Sequence, residues 1–128
     1  MAIHVLVADD EPHIGRIIQT KLEQGPFRVT LVSDGPVALR ALEEYPDIAL
    51  VLLDVMMPGL TGLEVLARIR ADARWASLPC VILTAAGHEQ QREDARRLGV
   101  EDFMTKPFSP KRLYARVAEL TANVPGVS

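Results

Sequence analysis

Short apolar runs and amphipathic stretches alternate along the whole chain, five of each, and no other feature limits the fold as strongly. The apolar runs are Ile3 to Ala8, Arg28 to Val32, Ala49 to Leu53, Cys80 to Thr84 and Glu101 to Thr105. The third and fourth are nearly continuous valine, leucine and isoleucine, as in strands covered on both faces of a parallel sheet. Helical spacings lie between them. Pro12 stands where a first-turn proline belongs, and Ile14, Ile17, Ile18 and Leu22 follow at helical intervals until Gly25-Pro26 stops them. Asp34 is placed to cap a second helix carrying Val37, Leu39 and Leu42, ended before Pro46. Thr61 is placed to cap a third with Leu63, Leu66 and Ile69. A fourth runs from about Glu89 to Leu98 and stops at Gly99, and a fifth starts near Ser109-Pro110 with Leu113, Val117 and Leu120. Strand and helix alternating in this way predict an α/β fold, a doubly wound (βα)5 three-layer sandwich with right-handed crossovers.

The chain of 128 residues matches one compact domain, and a hydrophobic share of 48% provides a core. We read residues 1–122 as that domain. Residues 123–128, from Asn123 onward, lose periodicity and form a frayed tail or the start of a linker. Fourteen Lys and Arg against 17 Asp and Glu give a net charge of -3, so no excess positive field draws nucleic acid to this domain. Arg92, Arg96 and Arg97 fit a solvated helix face. The one cysteine, Cys80, excludes an internal disulfide and, at the head of an apolar run, reads as a buried structural thiol. The apolar start lacks a basic leader and runs straight into acids, which predicts neither signal peptide nor membrane span and a cytoplasmic protein. His4, His13 and His88 have no metal-binding spacing, so zinc is not expected. Trp75 is expected half-exposed against the third helix.

Ligands of open parallel sheets bind beyond the carboxyl ends of the strands, where strand order reverses. Asp9, Asp10 and Glu11 follow the first strand, and Asp54 follows the third, ahead of Val55-Met56-Met57-Pro58-Gly59. The fourth ends in Thr84-Ala85-Ala86 and the fifth in Thr105-Lys106-Pro107. Any one of these has a plain structural reading as cap, turn or exposed residue, yet four strand ends agree. Carboxylates ~4 Å apart repel by ~4 kcal/mol at an effective dielectric near 20. A hard divalent cation removes that repulsion, and magnesium prefers a few carboxylates plus waters and a phosphate. A lysine and a hydroxyl opposite would serve the remaining phosphoryl oxygens, with an ionised aspartate as nucleophile.

Asp9-Asp10, the Asp54-x-x-Met57-Pro58-x-x-x-Gly62 stretch, Thr84-Ala85 and Lys106-Pro107 together resemble the receiver domains of two-component response regulators, over essentially the whole chain. The resemblance implies a flavodoxin-like sheet of order 2-1-3-4-5. It implies that Asp54 accepts a phosphoryl group from a phosphohistidine on a sensor histidine kinase or histidine phosphotransfer protein. Asp10, Asp54 and the Met56 carbonyl would bind magnesium directly, Asp9 through water. Lys106 and the Thr84 hydroxyl would serve the phosphoryl oxygens, with the backbone amides of Met56 and Ala85. Thr84 and Phe103 would be the switch pair. The face formed by helix 4, strand 5 and helix 5 would then meet an output domain or partner, with phosphorylation-dependent dimerisation also allowed. Ile14, Ile18 and Phe108 are the implied candidate kinase contacts, Ile18 reading equally well as simple core packing. Met56 and Ala86 offer no base, which predicts slow to moderate autodephosphorylation. Apart from this self-phosphorylation and dephosphorylation no enzyme activity is expected. A haloacid-dehalogenase-like phosphatase would need an acid where Met56 stands. A flavodoxin-like cofactor binder would need a phosphate loop in place of Asp9-Asp10-Glu11-Pro12. A degenerate interaction module would lack one of the chemical positions, all of which are filled.

Overall fold

A computed structural model describes residues 2–85 and 89–123. The readings placed on Ala86, His88 and residues 124–128 of the tail lie outside the described residues. The strands are β1 (Ile3–Ala8), β2 (Phe27–Val32), β3 (Ile48–Asp54), β4 (Cys80–Ala85) and β5 (Asp102–Lys106). The helices are α1 (Pro12–Leu22), α2 (Gly35–Glu44), α3 (Gly62–Ala71), α4 (Glu89–Arg97) and α5 (Pro110–Leu120). The strands form one parallel sheet in the order β2-β1-β3-β4-β5. Both the doubly wound architecture and the strand order agree with expectation.

Period-two alternation explains the three layers, because successive strand residues face opposite sides of a sheet. Leu6, Ala8, Val51, Leu53, Cys80 and Ile82 turn to one face, where Ala38, Ala41 and Leu42 of α2, Val65, Leu66 and Ile69 of α3 and Ala95 of α4 cover them. Val5, Val7, Leu50, Leu52, Val81 and Leu83 turn to the other, under Ile18 and Leu22 of α1 and Leu113 and Val117 of α5. The helix starts behave as their sequences dictate. Asp34 Oδ1 accepts from the Val37 amide at 2.8 Å, and Thr61 and Glu64 form a reciprocal capping box. Ser109 caps α5, and Gly99 ends α4 with φ +72.

Some details differ. Ile17 is 46% exposed, because Gly15, Ile18 and Leu22 already fill the buried stripe of α1. In α2 the buried side chains are Ala38, Ala41 and Leu42, with Val37 and Leu39 only half-buried, since a close-packed helix prefers small residues at its contact line. β5 begins at Asp102 rather than Glu101, whose carboxylate instead accepts the Cys80 amide at 2.7 Å. Cys80 is buried as expected, and burial pushes its thiol pKa up to about 12. His4, also buried, donates or accepts at both ring nitrogens, Nδ1 to Asp47 Oδ1 at 2.9 Å and Nε2 to Thr30 Oγ1 at 2.6 Å. Trp75 is half-buried, with the Arg74 guanidinium 4.2 Å from its ring centre. Arg96 and Arg97 pair along α4 with Glu93 and Asp94, as a solvated face would.

Candidate functional site

The chain leaves β1 toward β2 on one side and β3 toward β4 on the other, so strand order reverses between β1 and β3. Ala8 pairs with Leu53 and Leu53 with Ile82, which sets Asp9 and Asp54 side by side at the adjoining strand ends. Gly62 opens α3 directly behind this point, where a Cβ would overlap the Asp54 carbonyl oxygen. Helix α3 therefore approaches the strand end only because residue 62 lacks a side chain. Lys106 ends β5, pairs with Ala85, and extends its ammonium back over the strand ends.

The ammonium reaches three carboxylates. Lys106 Nζ lies 2.8 Å from Glu11 Oε1, 3.1 Å from Asp9 Oδ2 and 3.3 Å from Asp54 Oδ2. Asp9 and Asp54 are buried, whereas Asp10 and Glu11 are exposed. One oxygen from each of Asp9, Asp10, Glu11 and Asp54 falls within 4.8 Å of the others. Folding thus brings together Asp9, Asp10, Asp54 and Lys106, and adds Glu11, which sequence reasoning named only as part of the acidic turn.

The electrostatics follow from that crowding. Burial and the neighbouring Asp9 charge raise the Asp54 pKa to about 7, with Lys106 pulling the other way. Burial by itself would lower Lys106, but Glu11, Asp9 and Asp54 hold it above the usual lysine value. Its hydrogen bond and charge hold Glu11 below the usual carboxylate value. Asp9 Oδ1 accepts the Glu11 amide at 2.9 Å, while Asp9 Oδ2 is buried with no hydrogen-bond partner. The Lys106 ammonium 3.1 Å away supplies charge there but no well-directed N–H. An orphaned buried carboxylate oxygen beside three other carboxylates fits a hard divalent cation with oxygen ligands.

Thr84 lies beside this cluster, and Phe103 stands farther back along β5, opposite Ile82. Thr84 follows Leu83, the partner of Asp54 in the ladder, and is buried. Its hydroxyl donates to Gln91 Oε1 of α4 at 3.4 Å. Phe103 is half-buried on β5 with the Arg92 guanidinium 4.7 Å from its ring centre, and Arg92 also donates to Thr105 Oγ1 at 3.3 Å. The Met56 amide donates to Asp54 Oδ1 at 3.4 Å, and the Met56 side chain is 61% exposed at the mouth. Gln91 went unnoticed in the sequence, and Arg92, read there as part of a solvated helix face, instead turns to Phe103 and Thr105, because a polar helix carries no mark of which residue meets a strand end. Of the implied kinase contacts, Ile14 and Phe108 are half-buried but Ile18 is fully buried between α1 and the sheet. It serves the core and offers no contact surface. The exposed isoleucine is Ile17, which lines a groove of about 430 Å³ along α1 with His13, Arg16 and Lys21.

An open parallel sheet carrying carboxylates and one lysine at its switch point defines a class: flavodoxin-like α/β proteins with an acidic, oxygen-rich pocket. More narrowly, the chain belongs to the response regulator receiver domain family, which matches residues 5–118. It is similar to the phosphate regulon transcriptional regulatory protein PhoB of Klebsiella pneumoniae, at 40% identity over 118 residues, covering 91% of this chain and 51% of that protein. It is also similar to the alkaline phosphatase synthesis transcriptional regulatory protein PhoP of Bacillus subtilis, at 42% identity over 114 residues, covering 88% of this chain and 46% of that one. The chain thus spans about half the length of these curated relatives. Among solved structures, the chemotaxis response regulator CheY4 of Vibrio cholerae shares the fold, with TM-score 0.86 and 23% identity over 94% of this chain and 99% of that one. Among the described residues, no helix is long and apolar enough to cross a membrane.

Proposed function

We propose that this chain accepts a phosphoryl group on Asp54 from a phosphohistidine of a sensor histidine kinase or histidine phosphotransfer protein, with magnesium, and signals by a change in packing. The observation that carries the reading is the Lys106 ammonium held against both Asp54 and Asp9 at one strand-end rim. Asp10, Asp54 and the Met56 carbonyl would hold the metal, Asp9 through water, and the metal would neutralise charge on the transferring group. An Asp54 oxygen attacks phosphorus while the bond from phosphorus to the donor imidazole breaks, its electron pair staying on nitrogen. The product is an acyl phosphate. Burial of Asp54 keeps water from the nucleophile, and Lys106 is already in reach of the incoming oxygens.

Signalling then follows from what the phosphoryl group takes. Thr84 gives up Gln91 for a phosphoryl oxygen, the amides of Met56 and Ala85 turn to the same group, and Phe103 moves into the space Thr84 leaves. A bias of a few kcal/mol is enough to shift the population. The output face is α4, β5 and α5, where Arg92, Phe103, Phe108 and Arg112 line a cleft of about 330 Å³. Because the relatives named above are transcriptional regulatory proteins, we place this receiver, residues 1–122, upstream of a transcriptional output in the cytoplasm. Dimerisation through the same face on phosphorylation belongs to this reading. The Ile17 groove is the kinase-docking surface in this scheme. Met56 presents no base, which gives a slow to moderate loss of phosphate.

Incubation with acetyl phosphate and magnesium, followed by intact-protein mass, tests the assignment. One added phosphoryl group on the wild type and none on Asp54→Ala is expected. Labelling that survives Asp54→Ala refutes it.

A further inference from the structure

Glu11 occupies the N-cap of α1, a position where short oxygen side chains normally take up the free amides of the first turn. Its side chain makes no cap hydrogen bond. It reaches across the rim to Lys106, and the contact of 2.8 Å is the shortest of the three this ammonium makes with carboxylates. The Glu11 side chain is 48% exposed and that of Lys106 only 15%. The lysine is thus drawn toward the mouth of the pocket by its most solvated partner. Glu11 also presents its backbone amide to Asp9 Oδ1, so one residue orients a buried acid and restrains the facing cation. With its Glu11 end half in water, the pair is screened by solvent and adds little to folding stability, which leaves positioning of the ammonium as its main physical effect. A phosphoryl group on Asp54 needs the same ammonium, and has to win it from Glu11.

We propose that Glu11 is a positioning residue that tethers Lys106 at the rim in the resting protein and slows phosphoryl uptake until the ammonium is released. The inference rests on the phosphoacceptor reading of Asp54. Glu11 touches neither phosphorus nor the leaving group and acts through Lys106 alone. It differs from a general charge effect, because it requires the carboxylate to reach the ammonium.

Two substitutions separate reach from charge in the full chain. Glu11→Gln keeps the length and removes the charge. Glu11→Asp keeps the charge and withdraws it by one carbon–carbon bond, about 1.5 Å, beyond hydrogen-bonding distance. With acetyl phosphate and magnesium, both variants take up phosphoryl faster than wild type, by roughly two- to fivefold, the scale of a weak, solvent-screened ion pair. In the metal-free protein, the Lys106 13Cε and 15Nζ signals move in both variants, a readout independent of phosphorylation. An aspartate variant that behaves as wild type in rate or in the Lys106 signals overturns the tether in favour of charge alone. Unchanged or slower uptake in both variants overturns it as well. Failure of the wild type to label at Asp54 overturns the phosphoacceptor reading and the tether with it, whereas normal labelling with indistinguishable Glu11 variants removes only the tether.

Discussion

Arg70 binds together three segments that no local pattern connects. Its guanidinium donates to the carbonyls of Leu98, Leu78, Ala76 and Gly99 at 2.9, 2.7, 3.3 and 2.9 Å, and to Glu101 Oε1 at 3.0 Å. Arg70→Ala is expected to cost about 2–3 kcal/mol in urea unfolding, since charged hydrogen bonds to partly buried acceptors are lost together. Lysine at the same position should recover less than half, because its single ammonium cannot reproduce the planar fork. A cost below about 0.5 kcal/mol, the range of ordinary surface changes, would refute the staple. Asp54 makes a prediction of opposite sign. Its folded pKa is raised from 3.8 to about 7, so between these values the folded protein binds a proton that the unfolded chain does not. Stability contributed by this residue therefore falls as pH rises through that window. In chelator, Asp54→Asn should be more stable than wild type at pH 8 by on the order of 1–3 kcal/mol, with the difference gone near pH 4. A difference that does not change with pH would contradict the burial of an ionisable Asp54.

At the scale of elements, α4 is the helix whose sequence says least about its role. Its residues are polar almost all round, and Ala95 is its buried contact among the described residues. Its own pairs, Gln90 with Asp94 at 3.0 Å and Arg96 with Glu93 at 2.8 Å, support it along the exposed side. Toward the sheet, the consecutive Gln91 and Arg92 reach Thr84 and Phe103. Any shift of α4 is therefore felt at both Thr84 and Phe103. Arg92→Ala removes the cation from the Phe103 ring and the donor from Thr105. The expected cost is small, about 1 kcal/mol for a half-buried cation–π contact. The Phe103 ring resonances should nonetheless move or broaden in the unphosphorylated protein. Ring signals identical to wild type would show that Arg92 does not restrain Phe103.

For the whole molecule, the acidic rim is a place where the fold tolerates charge repulsion that a bound cation would relieve. Magnesium should raise the stability of the wild type by about 2.7 kcal/mol at one hundred times its dissociation constant, by mass action on the folded state. Asp10→Ala should lose most of that gain while unfolding normally in chelator, and differential scanning calorimetry with and without magnesium measures both. An undiminished magnesium effect in Asp10→Ala would exclude Asp10 from the site. Asp9, Asp54 and Lys106 were legible as strand-end residues because strand and helix periods, caps and stops are local, and each is written within a dozen residues of chain. The layers were legible for the same reason: in β1, β3 and β4 alternate residues had to face two different cores. The strand order came with the family resemblance, since spacing alone does not say which strands are neighbours. What tertiary structure alone decided was which carboxylate the lysine prefers, that Ile17 and not Ile18 faces solvent, and that Gln91 holds the Thr84 hydroxyl. Those outcomes depend on register between distant strands and on how side chains share space once every layer is packed, and no local run of sequence carries that information.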